Sequence, residues 1–221
     1  MDINQIVQTV AIYALPVLFA ITLHEAAHGY VARHFGDMTA HAQGRISLNP
    51  ARHIDPVGTI IVPIAILVLS KFTVGAGFLF GWAKPVPVNY SALRNPRQNM
   101  LWVAAAGPAA NLAMALGWAL LLRFLLFLPQ NDFSVPMRLM CEAGMQVNVV
   151  LMLLNLLPIL PLDGGRIVAS LLPTRMAWGY AKLEPWGFPI LLGLMFLGAL
   201  NVILAPMVAF SFRLLGTLFH I

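Results

Sequence analysis

The sequence predicts an all-α membrane protein that crosses the bilayer several times. Of its 221 residues, 60% are hydrophobic and 10% are charged, whereas about a quarter of the residues of a soluble domain are charged. The mean hydropathy is +0.82, and several apolar stretches exceed the roughly 18 residues that a spanning helix needs. We therefore expect a single integral-membrane domain over residues 1–221, built from about five to six transmembrane or re-entrant helices.

Composition also excludes several other classes of protein. The net charge is +5, but the basic residues are scattered between apolar runs instead of forming a stripe, so no nucleic-acid partner is predicted. The single cysteine, Cys141, excludes an internal disulfide and a thiolate metal cluster. The first residues lack a basic segment and a small-residue cleavage site, so we expect no signal peptide and a first helix that stays in the mature protein.

The first apolar run, from about Val7 to Arg33, contains the motif HEAAH. Residues four apart lie on one face of a helix, so His24 and His28 can direct two imidazoles at one metal ion. Glu25 stands where a general base could take a proton from a water activated by that metal. An ionisable side chain in a transmembrane helix costs at least about 2.5 kcal/mol, which argues against a chance motif or a purely structural histidine pair.

The distribution of basic residues predicts which side of the membrane each loop faces. The polar loop over residues 40–57 carries Arg45 and Arg52, while the N-terminal flank has no Lys or Arg, so this loop and the active site are expected nearer the cytoplasmic side. His53 in this loop could stabilise charge that develops at the metal, or could be a structural histidine. The apolar stretch 57–81 precedes another basic loop, which favours a re-entrant or hairpin segment that returns to the same side.

Residues 84–89 alternate proline with valine. Because proline has no N–H, Pro85 and Pro87 remove donors from one edge of an extended chain and leave Val86 and Val88 to donate from the other. A short membrane-associated strand is therefore expected near 84–89, where an extended substrate could be held by main-chain pairing. A proline-stiffened loop at the membrane interface is the alternative.

The apolar run from Asn99 to Leu128 predicts another spanning helix, which contains the small-residue segment Gly107 to Asn111. Small residues allow helices to pack closely in a membrane. Asn111 would be a buried amide there. It could bond to a neighbouring helix, or it could donate a hydrogen bond to a substrate carbonyl or an oxyanion.

Two prolines, Pro158 and Pro161, follow the next apolar run and place Asp163 ahead of a new helix. Irregular backbone at membrane depth is tolerated only where it is buried in protein or lines a cavity. Asp163 is therefore a candidate third metal ligand. It could also cap the helix, but a cap does not require a broken helix. The catalytic core would span about residues 7–172, and C-terminal helices would occupy about 184–221.

These motifs together resemble the site-2 protease family of intramembrane zinc metalloproteases. The matching segments are His24 to Gly29, Gly107 to Asn111, and Asn155 to Gly164. The resemblance implies that His24, His28 and Asp163 bind one zinc ion. It also implies that Glu25 is the catalytic base and that Asn111 helps to hold the substrate or the oxyanion. Many members carry a PDZ domain, and this chain would be a minimal-core member without one.

The function implied by the resemblance is hydrolysis of peptide bonds within or near transmembrane segments, in regulated proteolysis or in the clearance of membrane peptides. We expect a multi-pass protein of a prokaryotic-type inner membrane, whose partners are the lipid bilayer and a transmembrane protein or peptide, with a second copy of the chain as a further candidate. A divalent-metal transporter is the rival, because intramembrane histidines also line ion paths. Ligands that converge on one point and the lack of an internal repeat argue against it. An inactive relative that binds transmembrane segments is a further alternative, which the intact HEAAH motif argues against.

Overall fold

The structure is a computed structural model that describes residues 3–53, 55–62, 65 and 84–221. This part of the chain is helical and contains no strand. Four of its helices are long and apolar enough to cross a membrane. The prediction of an all-α, multi-pass membrane protein is therefore confirmed.

The described α-helices occur in the following order along the chain. They are α1 (Ile3–His34), α2 (Thr39–Ala42), α3 (Pro96–Leu125), α4 (Ser134–Asn155), α5 (Asp163–Leu171), α6 (Thr174–Ala181), α7 (Glu184–Phe196) and α8 (Ala199–Phe219). The four candidate spans are α1, α3, α4 and α8. Most of the predicted segment 57–81 lies outside the described residues, and the part that is described begins with a helical turn over Pro56–Ile61.

The centre of the protein is the bundle of α1, α3 and α4, which pack closely on one another. Small side chains at the contact between α3 and α4 allow this approach, because Ala115, Ala119 and Cys141 are fully buried there. Gly144 of α4 faces the ring of Trp118 of α3. Helix α8 packs on this bundle through a few residues and leaves most of its apolar side chains exposed, as expected for a helix that contacts lipid.

The helix break predicted from Pro158 and Pro161 lies between α4 and α5. Helix α4 ends at Asn155 and α5 begins at Asp163. Gly164 makes the fold-back possible, since a Cβ at this position would lie 2.3 Å from the carbonyl oxygen of Leu156. Helix α5 packs on α3, so this break delivers Asp163 to the interior of the bundle.

The predicted strand near 84–89 is absent, because the main-chain donors of this segment do not pair with another strand. The N–H of Lys84 donates to the carbonyl oxygen of His53 over 2.9 Å. The N–H of Val86 donates to the Glu25 carboxylate over 2.7 Å, and the N–H of Asn89 donates to another carboxylate over 2.6 Å. Residues 84–89 are therefore a stretch of irregular chain tied across the end of α1, and we call it the strap.

The close packing of Gly144 on Trp118 leaves no room for a larger side chain at position 144. A Cβ at Gly144 would lie 2.5 Å from the indole ring, so Gly144→Ala is expected to destabilise the protein by about 1–3 kcal/mol. Gly117→Ala in α3 is the matched control, because nothing lies within 4 Å of its added Cβ. Thermal unfolding in detergent should show a lower midpoint for Gly144→Ala alone. An equal effect of the two changes would contradict the packing described.

Candidate metal centre

Two histidines of α1 point into the bundle from one face of the helix. The Nε2 atoms of His24 and His28 lie 3.1 Å apart, and the planes of the rings are nearly perpendicular, at 84°. Both side chains are buried. The spacing of four residues in the HEAAH motif therefore brings two ring nitrogens to one point.

The far side of each ring is held by an acceptor on α3. His24 Nδ1 lies 2.6 Å from Asn111 Oδ1, and His28 Nδ1 lies 2.7 Å from the carbonyl oxygen of Val103. A carbonyl can only accept a hydrogen bond, so the hydrogen of His28 belongs on Nδ1. The amide nitrogen of Asn111 donates to the carbonyl oxygen of Ala20 and to Asn148, which leaves its oxygen facing His24. Both Nε2 lone pairs are thereby directed at the site.

Asp163 completes the group from the first position of α5. Its Oδ2 lies 3.2 Å from His24 Nε2 and 3.4 Å from His28 Nε2. The N-cap position is occupied by Leu162, and Asp163 is the first residue of the helix, so the alternative role of an N-cap is not the one the structure shows. Oδ2 is also buried without a hydrogen-bond partner, which is a costly state for a carboxylate oxygen unless a cation neutralises it.

The three acceptor atoms fit a divalent metal ion. They are separated by 3.1, 3.2 and 3.4 Å, and the ligand atoms of a tetrahedral zinc site lie about 3.3 Å apart when each bond is about 2.0–2.1 Å. Gly107 leaves room for an ion, because a Cβ there would lie 2.4 Å from His28 Nε2 and 2.6 Å from His24 Nε2. Two imidazole nitrogens and one carboxylate oxygen are also a donor set that zinc accepts in proteins.

Glu25 lies beside this group, on the wall of the same cavity. The cavity has a volume of about 340 Å³ and is lined by all three metal-site side chains, by Glu25 and by residues 85–88 of the strap. Glu25 is half-buried, and its Oε2 accepts the Val86 N–H. A carboxylate with one oxygen occupied in this way keeps its other oxygen for a reacting group.

Two predicted site residues lie outside the cavity. Asn111 is fully buried behind His24, and both of its amide hydrogens are donated to protein acceptors. Asn111 therefore bonds between helices, which is the alternative role considered for it, and its contact with a substrate or an oxyanion stays a prediction. His53 is buried in its loop with Nε2 against the carbonyl oxygen of Ser47. It does not line the cavity, and its stabilisation of charge at the metal stays a prediction.

The valines of the strap and two further side chains do line the cavity. Val86 and Val88 are both part of its wall, and the Val86 N–H is donated to Glu25. Asn155 and Arg166 also contribute to the wall, and sequence reasoning assigned them no role. Asn155 begins the motif segment Asn155 to Gly164 and Arg166 follows its end by two residues, so their position near a candidate ligand was the available signal.

Comparison with known proteins agrees with this chemistry. No family model matches the chain, and no solved structure matches it significantly. A protein of Bacillus subtilis named "Putative zinc metalloprotease YwhC" is 36% identical over 201 residues, which cover 87% of this chain and 84% of YwhC. "Putative zinc metalloprotease Rip2" of Mycolicibacterium smegmatis is 31% identical over 188 residues, which cover 83% of this chain and 66% of Rip2. The chain therefore belongs to the zinc metalloprotease family that includes YwhC and Rip2.

Proposed function

We propose that the protein is an intramembrane zinc metalloprotease of the site-2 protease type, which hydrolyses peptide bonds within or near transmembrane segments of its substrates. The observation that carries this proposal is the convergence of three acceptor atoms, from two imidazoles and one carboxylate, beside the second carboxylate of Glu25, in one cavity of a bundle of apolar helices. Ionisable groups gathered at such a depth mark a functional site. The similarity to proteins named as zinc metalloproteases supports the choice of metal and of reaction class.

In this proposal His24, His28 and Asp163 hold one zinc ion. Three protein ligands leave one of four tetrahedral positions open, as in catalytic zinc sites. When bound, the ion supplies a Lewis acid and lowers the pKa of water to roughly 7. The hydrogen bonds that the two rings donate to Asn111 and to the Val103 carbonyl keep both Nε2 atoms directed at the site of the ion, which is how outer partners orient metal-binding histidines.

Glu25 would carry the protons of the reaction. Its free oxygen takes a proton as water attacks the substrate carbonyl, and the same oxygen delivers that proton to the leaving amine when the C–N bond breaks. The Val86 N–H holds Oε2 throughout. The carboxylate therefore presents one fixed oxygen to the reacting groups, which a freely rotating side chain would not do.

The strap would hold the substrate as an extended chain along the cavity. A transmembrane helix keeps its N–H groups in hydrogen bonds to carbonyls four residues earlier, so it must unwind before hydrolysis. Main-chain pairing with the strap offsets part of that loss. Since Val86 donates to Glu25, the remaining donor on this edge is the Val88 N–H, for which no partner is found among the described residues. Substrate pairing therefore rests on Val88.

The site would lie nearer the cytoplasmic face of an inner membrane. The metal centre is near the ends of the helices where α1 finishes, α3 begins and α4 finishes. Most of the basic residues lie in or beside the connections at this end, and the opposite end carries fewer. Cytoplasmic loops are enriched in Lys and Arg, which supports this orientation.

The first test is to replace the proposed base. Glu25→Gln should lower cleavage of single-span membrane substrates by about 10²–10⁴-fold, while zinc analysis still finds one ion per chain, because Glu25 is not a ligand in this proposal. Glu184→Gln is the matched control, since that carboxylate is exposed at the start of α7, and its activity should equal that of the wild type. Cleavage by Glu25→Gln at the wild-type rate would refute the assigned base.

The second test fills the space between the histidines. Gly107→Ala places a Cβ within 2.6 Å of both Nε2 atoms, so the rings must move and zinc affinity should fall by about tenfold or more. Competition with a chelator measures this affinity without any substrate. Gly117→Ala on the same helix has open space and should bind zinc like the wild type. Unchanged affinity of Gly107→Ala would show that the ion, if bound, lies elsewhere.

The third test separates substrate unwinding from chemistry. Val88→Pro removes the free donor of the strap, so hydrolysis of transmembrane helical substrates should slow by about fivefold to tenfold, as expected for the loss of about one main-chain hydrogen bond. Short unstructured peptides do not have to unwind and should be affected less. The ratio of the two rates is the measurement, and equal slowing of both substrates would exclude pairing through Val88.

A further inference from the structure

Asp37 is a buried carboxylate that lies outside the metal centre and has no role in the mechanism proposed above. It lies in the turn after α1 and is fully buried. Its Oδ1 accepts the Thr39 N–H over 2.9 Å, and its Oδ2 accepts the Asn89 N–H over 2.6 Å. Burial alone would raise the pKa of Asp37, but the hydrogen bonds from Thr39 and Asn89 hold that pKa below its usual range. Asp37 is therefore ionised at neutral pH, and its hydrogen bond to the strap is charge-assisted.

The other end of the strap is held by Arg45. Its Nη2 donates to the carbonyl oxygen of Lys84 over 2.9 Å and to that of Pro85 over 3.2 Å. The Lys84 N–H is itself bonded to the loop that contains His53. The strap is thus fixed at Lys84 and Pro85 on one side and at Asn89 on the other, and only residues 86–88 lie between these attachments.

The stretch between the two attachments is short and stiff. Pro85 and Pro87 each fix a φ angle near −65°, and an extended residue spans about 3.3 Å, so a shift at either attachment must be passed to Val86. Val86 is buried against α1, where a Cβ at Gly29 would lie 3.2 Å from its side chain. In this position the Val86 N–H donates to Glu25 Oε2 over 2.7 Å.

We infer that Asp37 is a positioning residue of the proposed reaction: by holding the Asn89 N–H, it fixes the strap so that the Val86 N–H orients the Glu25 carboxylate. This inference rests on the proposed function, because it assumes that Glu25 is the base. A displacement of about 1 Å at a reacting group can cost about 100-fold in rate, so an attachment two steps removed from the base can control the rate. The competing view is that Asp37 only stabilises the turn after α1 through Thr39.

The test begins with Asp37→Asn, which keeps the size of the side chain but removes its charge and one acceptor. We expect kcat to fall by about tenfold or more, with one zinc per chain retained. Hydrogen exchange at the amides of Lys84, Val86 and Asn89 should become faster. Asp132→Asn, an exposed aspartate in the loop at the far end of the bundle, is the matched control and should alter none of these quantities.

A double-mutant cycle with Val86→Pro then distinguishes the two roles. Val86→Pro removes the N–H that bonds Glu25, so Asp37→Asn should cause no further loss of kcat in that background if Asp37 acts through this bond. Multiplicative losses in the double variant would overturn the inference and leave Asp37 as a turn stabiliser. If Asp37→Asn does not fold, Asn89→Pro removes the N–H that Asp37 accepts, and Asn89→Ala is its control because it loses only the side-chain bond to the Ser91 N–H.

The outcomes also separate this inference from the proposed function. A wild-type protein that cleaves no substrate would refute the proposed protease. A wild-type protein that cleaves, together with wild-type kcat and exchange rates for Asp37→Asn, would refute the role of Asp37 alone.

Discussion

Two imidazole nitrogens and one carboxylate oxygen meet within 3.4 Å of one another inside an apolar bundle, with no partner for the carboxylate oxygen Asp163 Oδ2. Three acceptors at this distance repel one another unless a cation lies between them. The rest of the core is arranged around this constraint. Helix α3 supplies the acceptors behind the rings and the glycine beside them, and the proline break before α5 delivers the carboxylate. A metal ion would therefore bind to side chains that the fold has already oriented.

The strap likewise orients the side chain of the proposed base. Glu25 is adjacent in sequence to a metal-site histidine, but its orientation is set by a backbone N–H that arrives from 61 residues later in the chain. That N–H is placed by attachments to Asp37 and Arg45, which lie on either side of it. The proposed base thus depends on the loops that cover the end of α1, and the proposed metal ligands depend on helix packing.

Which features of the site could be predicted from the sequence depended on how far apart in the chain the interacting residues lie. The histidine pair follows from a spacing of four residues on a helix, and Asp163 follows from a proline break at membrane depth, since both are local patterns. The orientation of Asn111 could not be predicted, because a buried amide can face either a neighbouring helix or a substrate, and the choice is made by Ala20 and Asn148. Pro85 and Pro87 indicated an extended segment, but its acceptors, Glu25 and Asp37, are far away in sequence and offered no local signal.

Binding of one zinc ion by His24, His28 and Asp163 can be measured by zinc X-ray absorption spectroscopy on the purified protein. We expect a shell of nitrogen and oxygen atoms at about 2.0–2.1 Å with the outer-shell signature of two imidazoles and no sulfur. We also expect Asp163→Ala to lose the bound zinc. A protein that binds no zinc, or that keeps an unchanged imidazole signature in His24→Ala, would show that these three residues do not form the zinc site.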